Sequence, residues 1–214
     1  MQKRITVSKK GNLTKRKNMI TSISQLDVTK KYTYSDYLTW QFDEMVELIK
    51  GQLLRMSPAP SRRHQLISGV LSGELYAYLK HKKCQVYEAP FDVRLLKNKK
   101  EAFHQIETVV QPDICVICDL EKLDDFGCSG SPDFIIEIVS KTSKKRDYHD
   151  KYDLYEENGV LEYWIVDPEG KTVDVFVLEN GKYEQRGNFF TPKDSITSVV
   201  LPDFVILWDD IFRE

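Results

Sequence analysis

"PDFIIEIVS", residues 132–140, sets five large apolar side chains around a single carboxylate, Glu137. A short run of this kind, rich in branched and aromatic residues, reads as a buried strand. Glu137 shares one side with Ile135 and Val139, while Phe134, Ile136 and Ile138 take the other, so both sides are apolar. An unpaired carboxylate in such a strand costs several kcal/mol or gives up its charge. Glu137 therefore needs a partner.

The preceding strand, expected over 109–118 in "VVQPDICVIC", supplies a second acid at its opening, Asp113, behind Pro112. If the two strands are neighbours, both carboxylates converge at one rim of the sheet and repel unless a cation joins them. A hard divalent ion with oxygen ligands such as Mg²⁺ meets that need. So does an arginine such as Arg94, and spacing alone leaves both open. The helix expected over 143–157 adds a third possibility. Tyr148, Tyr152 and Tyr155 form its apolar stripe, and Lys151 falls on that stripe, where a lysine either snorkels outward or meets an anion. Lys141 is a second candidate cation if the strand runs that far. His64, in the first turn of a helix expected over 62–82, shares a stripe with Ile67 and Leu71 and reads as a satisfied core histidine or a group at the site's edge. Glu47 interrupts the strand-like "MVELIKG" and by itself reads as a solvent-facing carboxylate.

Outward from this centre, a short helix precedes a strand pair turning at Lys50-Gly51, and Ser61 caps the 62–82 helix. Strands follow at 84–95, 109–118 and 133–140, then the second helix, stopped at Asn158-Gly159. "EYWIVDPEGKTVDVFVLENGKYEQR" reads as a meander with turns at Asp-Pro-Glu-Gly and Glu-Asn-Gly. The order α, βββ, α, β describes one α/β domain with a mixed sheet flanked by helices and a C-terminal β-meander.

The chain has 214 residues, 41% hydrophobic and 30% charged, enough for one well-cored domain. No apolar run reaches membrane-spanning length and no signal-peptide core opens the chain, so a cytoplasmic location is expected. Residues 1–26 carry seven basic residues and no acid, whereas 27–214 hold 24 basic against 33 acidic residues, a net of −9. The expected organisation is a disordered basic arm over 1–26, with Met19 as an alternative start, before one domain over 27–214. Cys115 and Cys118 form a C-x-x-C, but residues three apart on a strand face opposite ways, so buried free thiols are expected rather than a metal or redox pair.

These residues also resemble a known group. "ELIKGQLLRMSPAPSRRHQ", "APFDVRL", "VVQPDICVICD", "PDFIIEIVSKTSKKRD", "DKYDLYEENGVLEYWIVDPEGKTVDVF" and "LPDF" follow one another as in the Uma-two family of restriction-endonuclease-like proteins, within the PD-(D/E)XK nuclease superfamily. The resemblance spans roughly residues 32–212. It implies a restriction-endonuclease-like core of order αβββαβ, a Mg²⁺ or Mn²⁺ ion, hydrolysis of DNA phosphodiester bonds and a homodimer. It also implies Asp113 and Glu137 as metal ligands, Lys151 as stabiliser of the phosphate, and Glu47 and His64 as further site residues. Two departures matter: Val139 stands where the superfamily carries a lysine, and Gln52 where the family carries a second acid. Glu74, placed on the inward stripe of the first long helix, then competes with Glu47 as third carboxylate. The acidic balance of 27–214 favours an alternative, a non-catalytic dimeric binding module on a nuclease fold.

Overall fold

The computed structural model describes residues 20–56, 60–98 and 100–213. The basic residues of the arm, Lys3 to Lys17, lie outside the described residues. From Ile20 onward the chain joins the domain: Ile20 bridges to Trp40, and Ile23 is buried.

Fourteen strands and four α-helices make up the described chain. Helix α1 (Tyr34–Tyr37) precedes β1 (Val46–Ile49) and β2 (Gln52–Arg55). Lys50 and Gly51 both adopt positive φ (51° and 83°), the conformation a two-residue hairpin turn requires. Helix α2 (Arg62–Leu79) follows, with the Ser61 hydroxyl accepting from the His64 backbone N–H. Next come β3 (Gln85–Glu88), β4 (Val93–Arg94), β5 (Val109–Val110), β6 (Ile114–Ile117), β7 (Leu123–Asp124), β8 (Gly127–Ser129) and β9 (Phe134–Ile138). A π turn over Arg146–Asp150 runs into α3 (Lys151–Glu157). The meander β10 (Glu162–Asp167), β11 (Thr172–Glu179) and β12 (Lys182–Phe189) precedes β13 (Ser195–Thr197), β14 (Val205–Leu207) and α4 (Trp208–Phe212).

The main sheet has the order β12-β11-β10-β9-β6-β3, with β9 and β10 parallel and its other pairs antiparallel. Strand β9 is central, and its alternation sorts two cores. Phe134, Ile136 and Ile138 pack with Ile67, Leu71 and Leu75 of α2 on one side, and Ile135 and Val139 with Leu154 and Tyr155 of α3 on the other. Glu137 points to the α3 side. Among the described residues no helix is long and apolar enough to cross a membrane.

A second sheet, β2-β1-β5-β4-β8-β7, is not anticipated by the sequence. It arises because the long strands expected at 84–95 and 109–118 are each cut in two. Pro90 and Pro112 stand at the breaks, where they lack the N–H needed to continue a ladder. Each strand therefore gives one half to each sheet, and Gln111, Pro112 and Asp113 form the crossing.

The cysteine expectation needs one correction. Cys84 and Cys118 are joined in a disulfide, because β3 and β6 pair with Gln85 opposite Ile117 and bring the two next residues face to face. Cys115 and Cys128 are free and buried. Cys115 and Cys118 pack on opposite sides of the sheet and do not converge.

Candidate active site

The partner of Glu137 is Lys151. Glu137 Oε1 accepts hydrogen bonds from Lys151 Nζ and from the Tyr155 hydroxyl, each at 2.7 Å. The same ammonium lies 3.0 Å from Glu47 Oε1, which also accepts from the Gln111 backbone N–H at 3.0 Å. Lys151 is 2% exposed and Glu47 fully buried, so this knot is dry. The strand-like run around Glu47 is thus turned inward, and Glu47 is not the solvent-facing residue its local sequence suggests.

Asp113 stands at the wetter edge, its side chain 21% exposed. Its Oδ2 accepts from the Ile138 backbone N–H at 2.7 Å and lies 3.3 Å from His64 Nε2. The pairing of β6 with β9 sets Asp113 beside Glu137, as strand adjacency requires. His64 arrives from the N-terminal turn of α2, on the opposite side of the sheet from α3. The structure thereby brings Glu47, His64, Asp113, Glu137 and Lys151 to one rim, drawn from both sheets and both long helices.

The competing assignments fall away. Arg94 pairs with Asp124 at 2.6 Å, not with Glu137. Lys141 is exposed and pairs with Glu169 at 3.2 Å. Glu74 is exposed on the outer face of α2, a correction to its expected inward place. The buried stripe of α2 includes Ser68, Ser72 and Leu79 as well as Leu71 and Leu75, which rotates residue 74 out of the core. Glu47 is the third carboxylate of the cluster.

Two residues of this rim escape sequence reasoning. Tyr155 is legible as an apolar stripe residue but not as a hydrogen-bond donor to Glu137. Asp147 is missed altogether. The inward series is Asp147, Lys151, Leu154 and Tyr155, while Tyr148 and Tyr152 are only partly buried. The i, i+4, i+8 spacing of Asp147, Lys151 and Tyr155 is the signal that could have found it.

Electrostatics follow from crowding. Burial pushes the Glu137 carboxyl up to about 8, against the pull of Lys151 and with a further push from Asp113, Asp147 and Glu47. Burial works to lower Lys151, but Glu137, Glu47 and Asp147 override it and hold its pKa above the usual lysine value. Burial thus raises the acid, with the neighbouring acids adding to it, while the same acids keep the ammonium charged. Burial raises Asp147 as well. His64 would be lowered by its burial, but Asp113 raises it past the ordinary histidine value. Glu47 Oε2, Asp147 Oδ1 and His64 Nδ1 are buried without a hydrogen-bond partner.

With this geometry in hand, sequence comparison is decisive on kinship. The Uma2 family model, described as "Putative restriction endonuclease", matches residues 34–208. The chain belongs to this family. The Uma2 match runs from α1 to the start of α4 and contains every residue of the rim. A crystal structure of "a putative nuclease belonging to DUF820" from Anabaena variabilis ATCC 29413 is similar in fold, with a TM-score of 0.66 at 17% identity, over 85% of this chain and 97% of that one. No curated protein matches the sequence. The restriction-endonuclease-like fold of this Uma2 member is therefore shown, and its rim lies on the central strands of that fold.

Proposed function

We propose that the chain is a metal-dependent endonuclease that hydrolyses DNA phosphodiester bonds at the Glu47, Asp113, Glu137 and Lys151 rim. The observation that carries this reading is charge imbalance. Glu47, Glu137 and Asp147 act on one buried ammonium, Asp113 adds its charge beside Glu137, and a buried oxygen of Glu47 has no hydrogen-bond partner. Hard carboxylate oxygens in excess suit Mg²⁺ or Mn²⁺, so the donor set fits the ion. Among the described residues no three His, Cys, Asp or Glu side chains are already grouped to hold an ion, so the acids must shift on loading.

Asp113 and Glu137 would hold the ion, which when bound supplies polarisation of the scissile phosphate and a lowered pKa for the attacking water. In the structure described, Lys151 neutralises Glu137 and Glu47 and faces no solvent. Once that neutralising task is shared, the ammonium is free to stabilise charge on the phosphate. Tyr155 fixes Glu137, Gln111 fixes Glu47, and His64, whose pKa Asp113 raises, stands at the wetter edge where a phosphodiester would approach. We take the working assembly to be a homodimer on family resemblance alone, which sedimentation velocity tests directly.

Supercoiled plasmid incubated with the protein and Mg²⁺ or Mn²⁺ tests the activity, beside Glu137→Ala. Nicked or linear product from the wild type alone is the expected result. Equal cleavage by both would expose a contaminant. The burial of Lys151 favours a second reading, a non-catalytic binding module in which the ion pair is structural, and absence of cleavage together with retained DNA binding would select it.

A further inference from the structure

The carboxylate of Asp147 has no role in the activity derived so far. It sits on the π turn, 3% exposed, one helical turn before Lys151 and two before Tyr155, the two residues that reach Glu137. Its backbone is well employed: the carbonyl accepts from the Tyr163 hydroxyl at 3.0 Å, and the N–H donates to the Ser143 carbonyl at 3.0 Å. Its side chain is satisfied only in part, through Ser143. Oδ1 is buried without a hydrogen bond, and Arg146 Nε stands 3.9 Å from it, beyond hydrogen-bonding distance. A neutral side chain would hold this helix equally well without bringing another negative charge into an acidic core. Buried polar atoms left open in this way ordinarily have a water or an ion to meet.

We propose that Asp147 is a further carboxylate of the cation site, entering the shell of a divalent ion directly or through a bound water. The inference rests on the metal-dependent reading above. Three observations agree on it. Asp147 shares the inward stripe with Lys151 and Tyr155. Its charge acts on Glu137, Lys151 and His64, which places it within the field of the rim. Glu47 Oε2, from the other sheet, is a second fully buried acid oxygen that nothing satisfies. Helical spacing explains how one element delivers all three: Asp147, Lys151 and Tyr155 follow one another at four-residue steps and so lie on one face.

The test is binding without DNA. Mn²⁺ is titrated calorimetrically into the full chain as wild type, Asp147→Asn and Asp113→Asn, and melting temperatures are recorded with and without Mn²⁺. Asp147→Asn should bind Mn²⁺ at least about tenfold more weakly, the scale seen when a supporting group of a metal site is lost. Its metal-free melting temperature should equal or exceed that of the wild type, because one of several crowded acids loses its charge. Asp147→Asn with wild-type Mn²⁺ affinity would overturn the inference and leave the metal-dependent reading standing. A wild type that binds no Mn²⁺ would overturn both. Should Asp147→Asn fail to fold, Asp147→Glu supplies the readout. It keeps the charge but moves the carboxylate by one methylene, so Mn²⁺ affinity changes if Asp147 serves the ion and stays the same if it serves only the helix.

Discussion

Lys151 and Arg94 are both cations buried within a strand's reach of the site, 2% and 1% exposed, yet they live in opposite surroundings. Arg94 Nη2 meets Asp124 at 2.6 Å, its Nε donates to the Cys128 carbonyl at 3.2 Å, and its guanidinium lies over the rings of Tyr34 and Phe103. One positive charge faces one negative charge, and Asp124 is 44% exposed, so water helps to solvate the pair. Lys151 instead bridges two fully or nearly buried carboxylates, with Asp147 also in its field. The first arrangement is complete as it stands, and the second still attracts positive charge. Burial of a cation therefore does not mark a functional site, whereas imbalance around it does.

The largest effect expected from this contrast is that of Lys151→Met. It strands Glu47 and Glu137 without their ammonium, and breaking a buried pair in this way costs about 3–5 kcal/mol. Urea unfolding in metal-free buffer near neutral pH measures it, and millimolar Mg²⁺ should restore part of the loss. A variant as stable as the wild type would remove the contrast.

Arg94→Met should cost less, about 1–3 kcal/mol, the penalty for the orphaned Cys128 carbonyl, because Asp124 can turn fully to water. The same unfolding series should show no dependence of this loss on Mg²⁺. A Mg²⁺-sensitive loss would mean that the two cations are coupled after all.

The smallest effect is a pH slope. The Glu137 carboxyl is raised to about 8 from 4.5, so the folded state keeps a proton that the unfolded state has released. Between those values the native state binds more protons, and stability falls as pH rises. A loss of about 1 kcal/mol per pH unit between pH 6 and 8 is expected, below the limit of roughly 1.4 kcal/mol per pH unit for one whole proton. Glu137→Gln should flatten the slope, and an unchanged slope would assign the retained proton elsewhere.

Much of this was legible in the sequence for a specific reason. Glu137 stands in a run whose both sides are apolar, so its burial did not depend on the strand's orientation, and a buried acid demands a partner. Asp113 followed from strand adjacency and Lys151 from helical periodicity. Periodicity also set the limits. The strands of the second sheet include pairs of only two residues, too short to carry an alternation, and the breaks at Pro90 and Pro112 were read through as continuous strands. Glu74 was misplaced because the apolar stripe through Ile67 and Leu71 omits Ser68 and Ser72, whose burial turns the inward face away from residue 74. Asp147 was overlooked because the stripe was drawn through Tyr148, Tyr152 and Tyr155, whereas Asp147, Lys151 and Tyr155 are the buried series. Cys84 and Cys118 lie 34 residues apart, and only the register of β3 against β6 makes them neighbours.

The crossing at Gln111, Pro112 and Asp113 has a consequence for how the chain comes into being. Gln111 meets Glu47 across 64 residues of sequence, and Lys151 reaches Glu137 only after β9 is laid down and α3 has turned back over it. A growing or clipped polypeptide that stops short of α3 holds Glu47, Asp113 and Glu137 but lacks the charge that lets them share one place. Such a fragment has the acids of the proposed nuclease without its ammonium. On the proposed reading, competence to cut arises only once α3 has been made and packed, which keeps destructive chemistry out of shorter copies.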